Sequence, residues 1–288
     1  MELRVLNYFL MVAREENITK AASLLHLTQP TLSRQLMQLE EELGVKLFRR
    51  GKYRVSLTED GMLLRRRAQE IVELAEKTEQ EFQRQEGELA GAISIGTGES
   101  NSMTALSRRM AGFRREHPLV RFHIYSATAD EIQERLEKGL LDLGILTEPA
   151  DIGRYEFIRL PKRDQWGVWV DREHPLAARE RVTPQDLLGV PLLLPQRERV
   201  QQELAGWFGE NFEKAEVAAT YNLILNAANM IRNGVGIALG FLLGNLSDDL
   251  RFIPLSPALE TGSVLVWKKD QAFSPTAAAF LRDLRRAE

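Results

Sequence analysis

One predicted helix of this chain begins with a cluster of hydroxyl, amide and guanidinium side chains. Thr28 can cap the helix, and Pro30 falls in its first turn, a position that helix starts favour. Amide and guanidinium groups can bind a base edge through two hydrogen bonds, while hydroxyls and free helix N–H groups suit phosphates. The arrangement suits contact with DNA in the major groove, but by itself it fits a plain cap and ordinary surface residues equally. The candidate DNA-binding residues on this helix are Thr28, Gln29, Pro30, Thr31, Ser33, Arg34 and Gln38.

A basic stretch follows this helix. Residues 46–67 contain eight basic residues and two acidic ones, a local balance of +6 in a chain whose net charge is −3. Apolar residues at strand spacing lie on both sides of Gly51, which predicts a β-hairpin with a tight turn. Its cations would hold the DNA backbone or enter a minor groove, and the alternative is a solvated run of charge. The candidate residues of this hairpin, the wing, are Arg49, Arg50, Lys52 and Arg54.

Three further segments place polar residues at the starts of predicted helices, where free N–H groups can bind a ligand. The first lies between a strand and its helix, the second is a Thr-x-x-Glu capping box that starts at Thr128, and the third precedes a helix near residue 199. Arg197 in the third segment favours an anionic ligand. Ser100 and Thr128 can equally be helix caps alone, and that alternative stays open. The candidate ligand-binding residues are Glu99, Ser100, Asn101, Thr128, Pro195, Gln196 and Arg197.

The spacing of apolar residues before Gly44 predicts three helices, of which the second and third form a helix-turn-helix with His26 at the turn. A long helix is predicted after the hairpin, from about residue 59 to residue 86. Its apolar residues alternate at spacings of four and three, the heptad pattern of a coiled coil. We therefore expect this helix to form a dimer, with packing on its own domain as the alternative. The predicted dimerisation seam consists of Leu64, Ala68, Ile71, Ala75, Thr78 and Phe82.

Strands and helices alternate from residue 91 onwards, which predicts βαβ units and a mainly parallel sheet. The segment from Pro149 to Gly153 resembles a crossing to a second lobe. We predict a winged helix-turn-helix at residues 1–58, a linker and dimerisation helix at 59–90, and a ligand-binding domain at 91–288. Within that domain, lobe I takes about 91–160 and 266–288, and lobe II takes about 161–265.

The composition narrows the classes of function. The chain has no cysteine, which excludes disulfides, thiolate metal sites and thiol chemistry. Its four histidines are scattered, and no metal site, cofactor or known catalytic motif is visible, so we do not expect an enzyme. The start shows no secretory signal, and the most apolar stretch, 234–244, is too short to span a bilayer. We expect a cytoplasmic protein without a membrane partner; a solute-binding protein, or an enzyme that uses the C-terminal domain, stays the alternative.

Three segments, 21–35 (AASLLHLTQPTLSRQ), 39–50 (LEEELGVKLFRR) and 57–61 (LTEDG), closely resemble the DNA-binding domain of bacterial LysR-type transcriptional regulators. Residues 136–145 (LEKGLLDLGI) and 234–239 (GVGIAL) resemble landmarks of that family's effector domain more loosely. The resemblance implies an α/β protein with an N-terminal all-α winged helix-turn-helix and a long linker helix. A two-lobed, periplasmic-binding-protein-like (type 2) effector domain would follow over residues 92–288.

The same resemblance implies a function. The chain would be a transcriptional regulator that binds a double-stranded DNA operator with sequence specificity. A small-molecule effector would bind in a cleft between the two lobes, where Ser100, Thr128 and the turn at 195–197 would contact it. The protein would assemble as a homodimer or a homotetramer.

Overall fold

The computed structural model describes residues 1–51, 54–82, 88–244 and 246–286, without the side chains of residues 50 and 80–82. The chain divides into two compact units, Met1–Gln83 and Arg84–Glu288, and each is described by itself. Among the described residues, no helix combines the length and the apolar character that crossing a bilayer requires.

The first unit is three helices, a hairpin and a long helix. Its elements are α1 (Leu3–Glu15), α2 (Ile18–Leu24), α3 (Gln29–Leu43), β1 (Phe48–Arg50), β2 (Val55–Leu57) and α4 (Glu59–Phe82). Local signals set the boundaries: the Thr28 hydroxyl accepts a hydrogen bond from the Thr31 N–H, and Gly44 ends α3 with a φ of +68°. His26 takes a φ of +53° in the turn between α2 and α3, as predicted. The helix-turn-helix and the antiparallel wing are therefore both present.

The core of this unit is built where α1, α3, the hairpin and α4 meet. Phe9 at its centre is fully buried, and its ring lies 5.3 Å from that of Phe48. Gly61 lets α4 approach the hairpin closely, because a Cβ atom there would come within 2.2 Å of the Leu47 carbonyl oxygen. This packing makes the winged unit and the start of the long helix one hydrophobic core.

The apolar face that α4 leaves exposed differs from the predicted seam. Ala68 is fully buried in the core of the winged unit, and Leu64 packs against that core. Both residues are therefore corrected from dimerisation contacts to contacts within the unit, because the first turns of α4 pack on α1. Three of the exposed apolar residues of α4 lie on a neighbouring face of the helix, whereas Met62 lies on another face. The three are Leu63, Ile71 and Leu74, and we call them the α4 stripe.

The remaining members of the predicted seam differ in their exposure. Thr78 is exposed beside the α4 stripe, and Ala75 is half-buried. The side chain of Phe82 lies outside what the structure describes. The helix was also predicted to reach residue 86 within a linker ending at 90; its described part ends at Phe82, and Glu88 to Ala90 are not helical.

The second unit contains two sheets, each with its own core. The first sheet has the order β4-β3-β5-β13-β6 and is flanked by three helices. Its strands are β3 (Gly91–Thr97), β4 (Val120–Ser126), β5 (Leu143–Thr147), β6 (Tyr155–Arg159) and β13 (Ser263–Lys268). Its helices are α5 (Ser102–Glu116), α6 (Ala129–Glu137) and α9 (Pro275–Arg285). These elements form lobe I.

The second sheet has the order β11-β7-β10-β8-β9, with the short β12 paired to β7. Its strands are β7 (Asp164–Asp171), β8 (Leu192–Pro195), β9 (Val217–Tyr221), β10 (Ile237–Phe241), β11 (Leu250–Pro254) and β12 (Glu260–Thr261). Its α-helices are α7 (Glu198–Phe208) and α8 (Ile224–Arg232), and short 3-10 helices span Pro175–Ala178, Pro184–Leu187 and Gly209–Lys214. These elements form lobe II.

The sheets are mixed rather than mainly parallel. In lobe I, β3 pairs in parallel with β4 and β5, whereas β13 runs antiparallel to β5 and β6. The segment from Pro149 to Gly153 leads to β6 in the same sheet, so the crossing to lobe II comes later, between β6 and β7. The return comes at Gly262, before the start of β13, and not at 266. The crossing after β6 agrees with the predicted end of lobe I at about residue 160. A buried strand has the same apolar composition whichever way it runs, so spacing alone did not predict strand direction.

Candidate functional site

The candidate DNA-binding residues lie on the outer face of α3. Leu32, Leu36 and Leu39 are buried on the inner face. Six of the seven predicted residues are exposed on this helix or at its cap, and they are Thr28, Gln29, Pro30, Thr31, Arg34 and Gln38. Thr28 is an N-cap, and its hydroxyl also lies 2.8 Å from that of Thr31. The cap and the exposed polar residues therefore occur together.

Two residues of α3, Ser33 and Met37, differ in exposure from what the sequence predicted. Ser33 is 8% exposed and lies on the inner side of α3, so it is corrected from a DNA contact to a buried residue. Met37 is 40% exposed and was not predicted as part of the surface. Its position three residues after Arg34 was the available signal, since residues three and four apart share a helix face. An exposed apolar side chain there can contact a thymine methyl group.

The structure describes the side chains of two of the four predicted wing cations, and both are exposed. Arg49 is exposed on β1, opposite Ser56, and Arg54 is exposed 4.0 Å from the Glu16 carboxylate. The Gly51 N–H donates to the Arg54 carbonyl and closes the turn. Lys52 and the side chain of Arg50 lie outside what the structure describes.

A buried carboxylate, Glu40, fixes the wing to α3. It accepts hydrogen bonds from the backbone N–H groups of Leu47 (2.9 Å) and Phe48 (3.3 Å) and from Lys46 Nζ (2.7 Å). Burial alone would raise the pKa of Glu40, but the bonds from Lys46 and the two N–H groups outweigh it and hold the pKa below its usual range. Sequence reasoning did not single out this residue, because its partners are ordinary backbone groups.

We expect Glu40→Gln to lower the free energy of unfolding of the winged unit by about 1–3 kcal/mol at pH 7, because two N–H groups lose a charged acceptor. The stabilisation from Glu40 is full above the unfolded pKa of about 4.3 and is lost as the pH falls through the lower folded pKa. The difference between variant and wild type should therefore shrink in acid. Denaturant unfolding at several pH values measures it, with the exposed Glu41→Gln as the matched control.

A cavity of about 120 Å³ lies between lobe I and lobe II. The three segments predicted to bind a ligand do converge there, although they come from different sheets. Five of the seven predicted residues line the cavity, namely Glu99, Thr128, Pro195, Gln196 and Arg197. Three aromatic residues that sequence reasoning missed also line it, namely Trp166, Tyr221 and Phe241.

Ser100 and Asn101 do not line this cavity. Ser100 is buried, although it follows the cavity residue Glu99 directly in the sequence. The Asn101 backbone and side-chain N–H groups both donate to Asp164 Oδ1 at 3.0 Å, and the side chain also donates to the Leu242 carbonyl. Burial raises the pKa of the Asp164 carboxyl, and the bonds from Asn101 oppose that rise. Asn101 therefore joins the two lobes where the chain crosses between them.

Thr128 is a helix cap and a cavity residue at once. Its hydroxyl donates to Glu131 Oε2 (2.8 Å) and accepts from the Glu131 N–H (3.4 Å), and its own N–H donates to the same carboxylate (2.9 Å). This is a complete capping box at the start of α6. Because the hydroxyl proton is used within the box, Thr128 can offer a ligand only an oxygen acceptor.

Arg197 is already paired with a carboxylate. Its guanidinium donates to both Asp130 oxygens at 3.0 Å and to the Thr147 carbonyl at 3.3 Å, and its side chain is only 7% exposed. Asp130 belongs to α6 of lobe I and Arg197 precedes α7 of lobe II. This bidentate pair bridges the lobes, and it removes the free cation on which the expectation of an anionic effector depended.

Glu99 makes a second bridge. Its Oε2 atom accepts a hydrogen bond of 2.6 Å from the N–H of Ile224, the first residue of α8. A carboxylate at a helix N-terminus is stabilised by the free N–H groups and the helix dipole. Glu99 was predicted as a ligand contact, and its bond to α8 was not foreseen, because the two residues are 125 positions apart.

Two protein-family models match the chain. Residues 3–62 match the bacterial regulatory helix-turn-helix protein, lysR family, and residues 86–288 match the LysR substrate binding domain. The chain is 30% identical over 286 residues to the uncharacterized HTH-type transcriptional regulator YybE of Bacillus subtilis, covering 97% of each chain. It is 28% identical over 279 residues to the Hca operon transcriptional activator HcaR of Escherichia coli, covering 94% of this chain and 93% of that one.

Solved structures share the fold over the full length. Full-length CbnR, solved in complex with its target DNA, superposes with a TM-score of 0.78 at 23% identity and covers 100% of both chains. HinK, a LysR family transcriptional regulator from Pseudomonas aeruginosa, gives a TM-score of 0.57 at 25% identity over 99% of this chain and 98% of that one. The expected fold, a winged helix-turn-helix followed by a two-lobed effector domain, is confirmed. The chain belongs to the LysR family of transcriptional regulators.

Proposed function

We propose that this regulator reads a double-stranded DNA operator with α3 and the wing, and that a small molecule in the cavity between the lobes changes its affinity for that operator. The outer face of α3 carries the proposal: exposed polar side chains on a helix whose inner face is held in a core. DNA as the partner also favours a cytoplasmic location.

The residues divide by chemistry into base-reading and phosphate-binding groups. Arg34, Gln29 and Gln38 carry the exposed forked or amide groups that can make two hydrogen bonds to one base. Thr28 and the N-terminus of α3 suit a phosphate, as do the cations of the wing. Arg49 is the exposed wing cation for which no ion pair is present among the described residues.

Dimerisation through the α4 stripe completes the operator-binding form. Leu63, Ile71 and Leu74 are 54%, 41% and 42% exposed, so burying the rest of each side chain contributes about half of the roughly 1.5–3 kcal/mol of full burial. Their spacing keeps them on one face of a helix that continues beyond the winged core. A second copy of α4 offers the same face, as a two-fold symmetric interface requires.

A ligand in the cavity acts on the bridges between the lobes. The Arg197–Asp130 and Glu99–Ile224 contacts both join lobe I to lobe II beside it. A ligand that strengthens or replaces one bridge changes the relative stability of lobe arrangements. Couplings of this kind are typically about 1–3 kcal/mol and must be reciprocal, so operator must change effector affinity by the same factor.

We expect Arg34→Ala to weaken operator binding by about 1–3 kcal/mol, roughly five- to 150-fold, and to relax base preference at one position of each half-site. The affinity falls because alanine cannot make the two hydrogen bonds that arginine makes to a base edge. Fluorescence anisotropy measures it on a duplex that the wild-type protein selects from a random library, and on variants with single base changes.

The contrasting variant is Arg49→Ala. A phosphate contact should weaken binding equally on every sequence and should lower the slope of log affinity against log salt by about 0.9. Arg4→Ala, on the exposed start of α1, serves as the neutral control. An Arg34→Ala protein that loses affinity uniformly, with a reduced salt slope, would make Arg34 a phosphate contact instead.

A further inference from the structure

Three positive groups beside the cavity are paired with the chain's own carboxylates. Glu131 caps α6, Glu99 accepts from the first N–H of α8, and Asp130 holds the Arg197 guanidinium through both oxygens. An anionic ligand would compete with a carboxylate at each of these three places.

The charges around the cavity add up to a negative total. Among the described lining residues, the acidic side chains are Glu99 and Glu148, and the one basic side chain is Arg197. Asp130 pairs with Arg197, and Arg159 pairs with Glu148 at 2.9 Å. With both partners included, the group holds three carboxylates and two guanidinium groups, a net charge of −1. The hydrogen bond of Glu99 uses Oε2, so Oε1 can accept from a ligand.

Three aromatic residues are among those that line the cavity. Trp166 and Phe241 lie 4.4 Å apart between ring centroids, and Tyr221 is the third. The Trp166 indole N–H donates to Thr261 (2.7 Å) and the Tyr221 hydroxyl donates to the Leu239 carbonyl (2.5 Å). Because these donors are used within the protein and both side chains are buried, Trp166 and Tyr221 offer a ligand no hydrogen-bond donor. The half-buried ring of Phe241 is the aromatic surface that an apolar group can contact.

We propose that the effector is a small organic cation with N–H donors, such as a primary ammonium on an apolar body. Its charged end lies against Glu99, and its body lies against Phe241 and the apolar residues of the lining. The inference rests on the proposed function of the cavity and names the ligand class it selects. It replaces the anionic effector that Arg197 suggested in the sequence.

The test uses two apolar groups, and each is attached in turn to a cationic, a neutral and an anionic end group. The probes are 2-phenylethylamine, 2-phenylethanol and phenylacetate, together with 3-methylbutylamine, 3-methylbutanol and 3-methylbutanoate. Calorimetry on the full-length protein at pH 7 measures each affinity. We expect each amine to bind at least about tenfold more tightly than its alcohol, with the acid weakest.

Variants assign the preference to the cavity. Glu99→Gln keeps an oxygen for the Ile224 N–H and removes the charge, so the preference for amine over alcohol should fall by about ten- to hundredfold. Glu148→Gln is the second variant, and the exposed Glu210→Gln is the matched control that should change nothing. An unchanged preference in both cavity variants would overturn the proposal.

The probes also separate this proposal from the proposed function. If the acids or the alcohols bind most tightly and change operator affinity, the cavity is an effector site and the ligand class is wrong. If none of the six probes binds at millimolar concentration and operator affinity does not respond, the effector role of the cavity fails together with the ligand class.

Discussion

A full-length protein with Leu74 replaced by aspartate is expected to be a monomer that binds its operator about a hundredfold or more weakly than wild type. Leu74 is 42% exposed at the C-terminal end of the α4 stripe. In a dimer its side chain meets apolar groups of the second copy, so the new carboxylate would be buried without a cation. A monomer engages one half-site at a time and loses the avidity of two linked winged units.

Light scattering measures the assembly and anisotropy measures operator affinity. Gln69→Asp is the matched control, because it adds the same charge to an exposed position on another face of α4. The control should keep the wild-type mass and affinity. A Leu74→Asp protein with wild-type mass would show that the α4 stripe faces solvent in the assembled regulator.

Replacement of Phe9 by alanine should remove about 3–5 kcal/mol from the stability of the first unit, because a fully buried phenylalanine leaves a cavity at the centre of the core. Its ring packs on Phe48 at the start of the wing, so the loss should loosen α3 and the hairpin together. We expect operator binding to be lost while the second unit keeps its stability. Hydrogen exchange resolved by peptide measures both units in the full-length chain.

The matched control for Phe9→Ala lies in the other unit. Phe280 is also fully buried and packs against Phe113 and Phe122 in lobe I. Phe280→Ala should therefore raise exchange in peptides of the second unit and leave residues 1–82 protected. Equal loss of protection in both units for either variant would mean that the two units unfold as one.

Local chemistry made the DNA-binding unit predictable from its sequence. The cap at Thr28, the proline that follows it and the left-handed turns at His26 and Gly44 each depend on a few neighbouring residues. The exposed face of α3 followed from its helical period, although Ser33 proved buried and the exposed Met37 was missed. The capping box at Thr128 was predicted for the same reason, since all its bonds lie within four residues.

The ligand site depended on contacts that no local pattern contains. Its segments were identified, but Arg197 meets its partner Asp130 across 67 positions, and Glu99 meets α8 across 125. With these two contacts formed, the cavity that was expected to bind an anion has a net negative charge. The heptad spacing of α4 likewise identified an apolar helix and could not say which face its own core would cover. Periodicity indicates which residues are buried. The partners of those residues, and therefore the charge and specificity of a site, are determined only when elements distant in the sequence pack together.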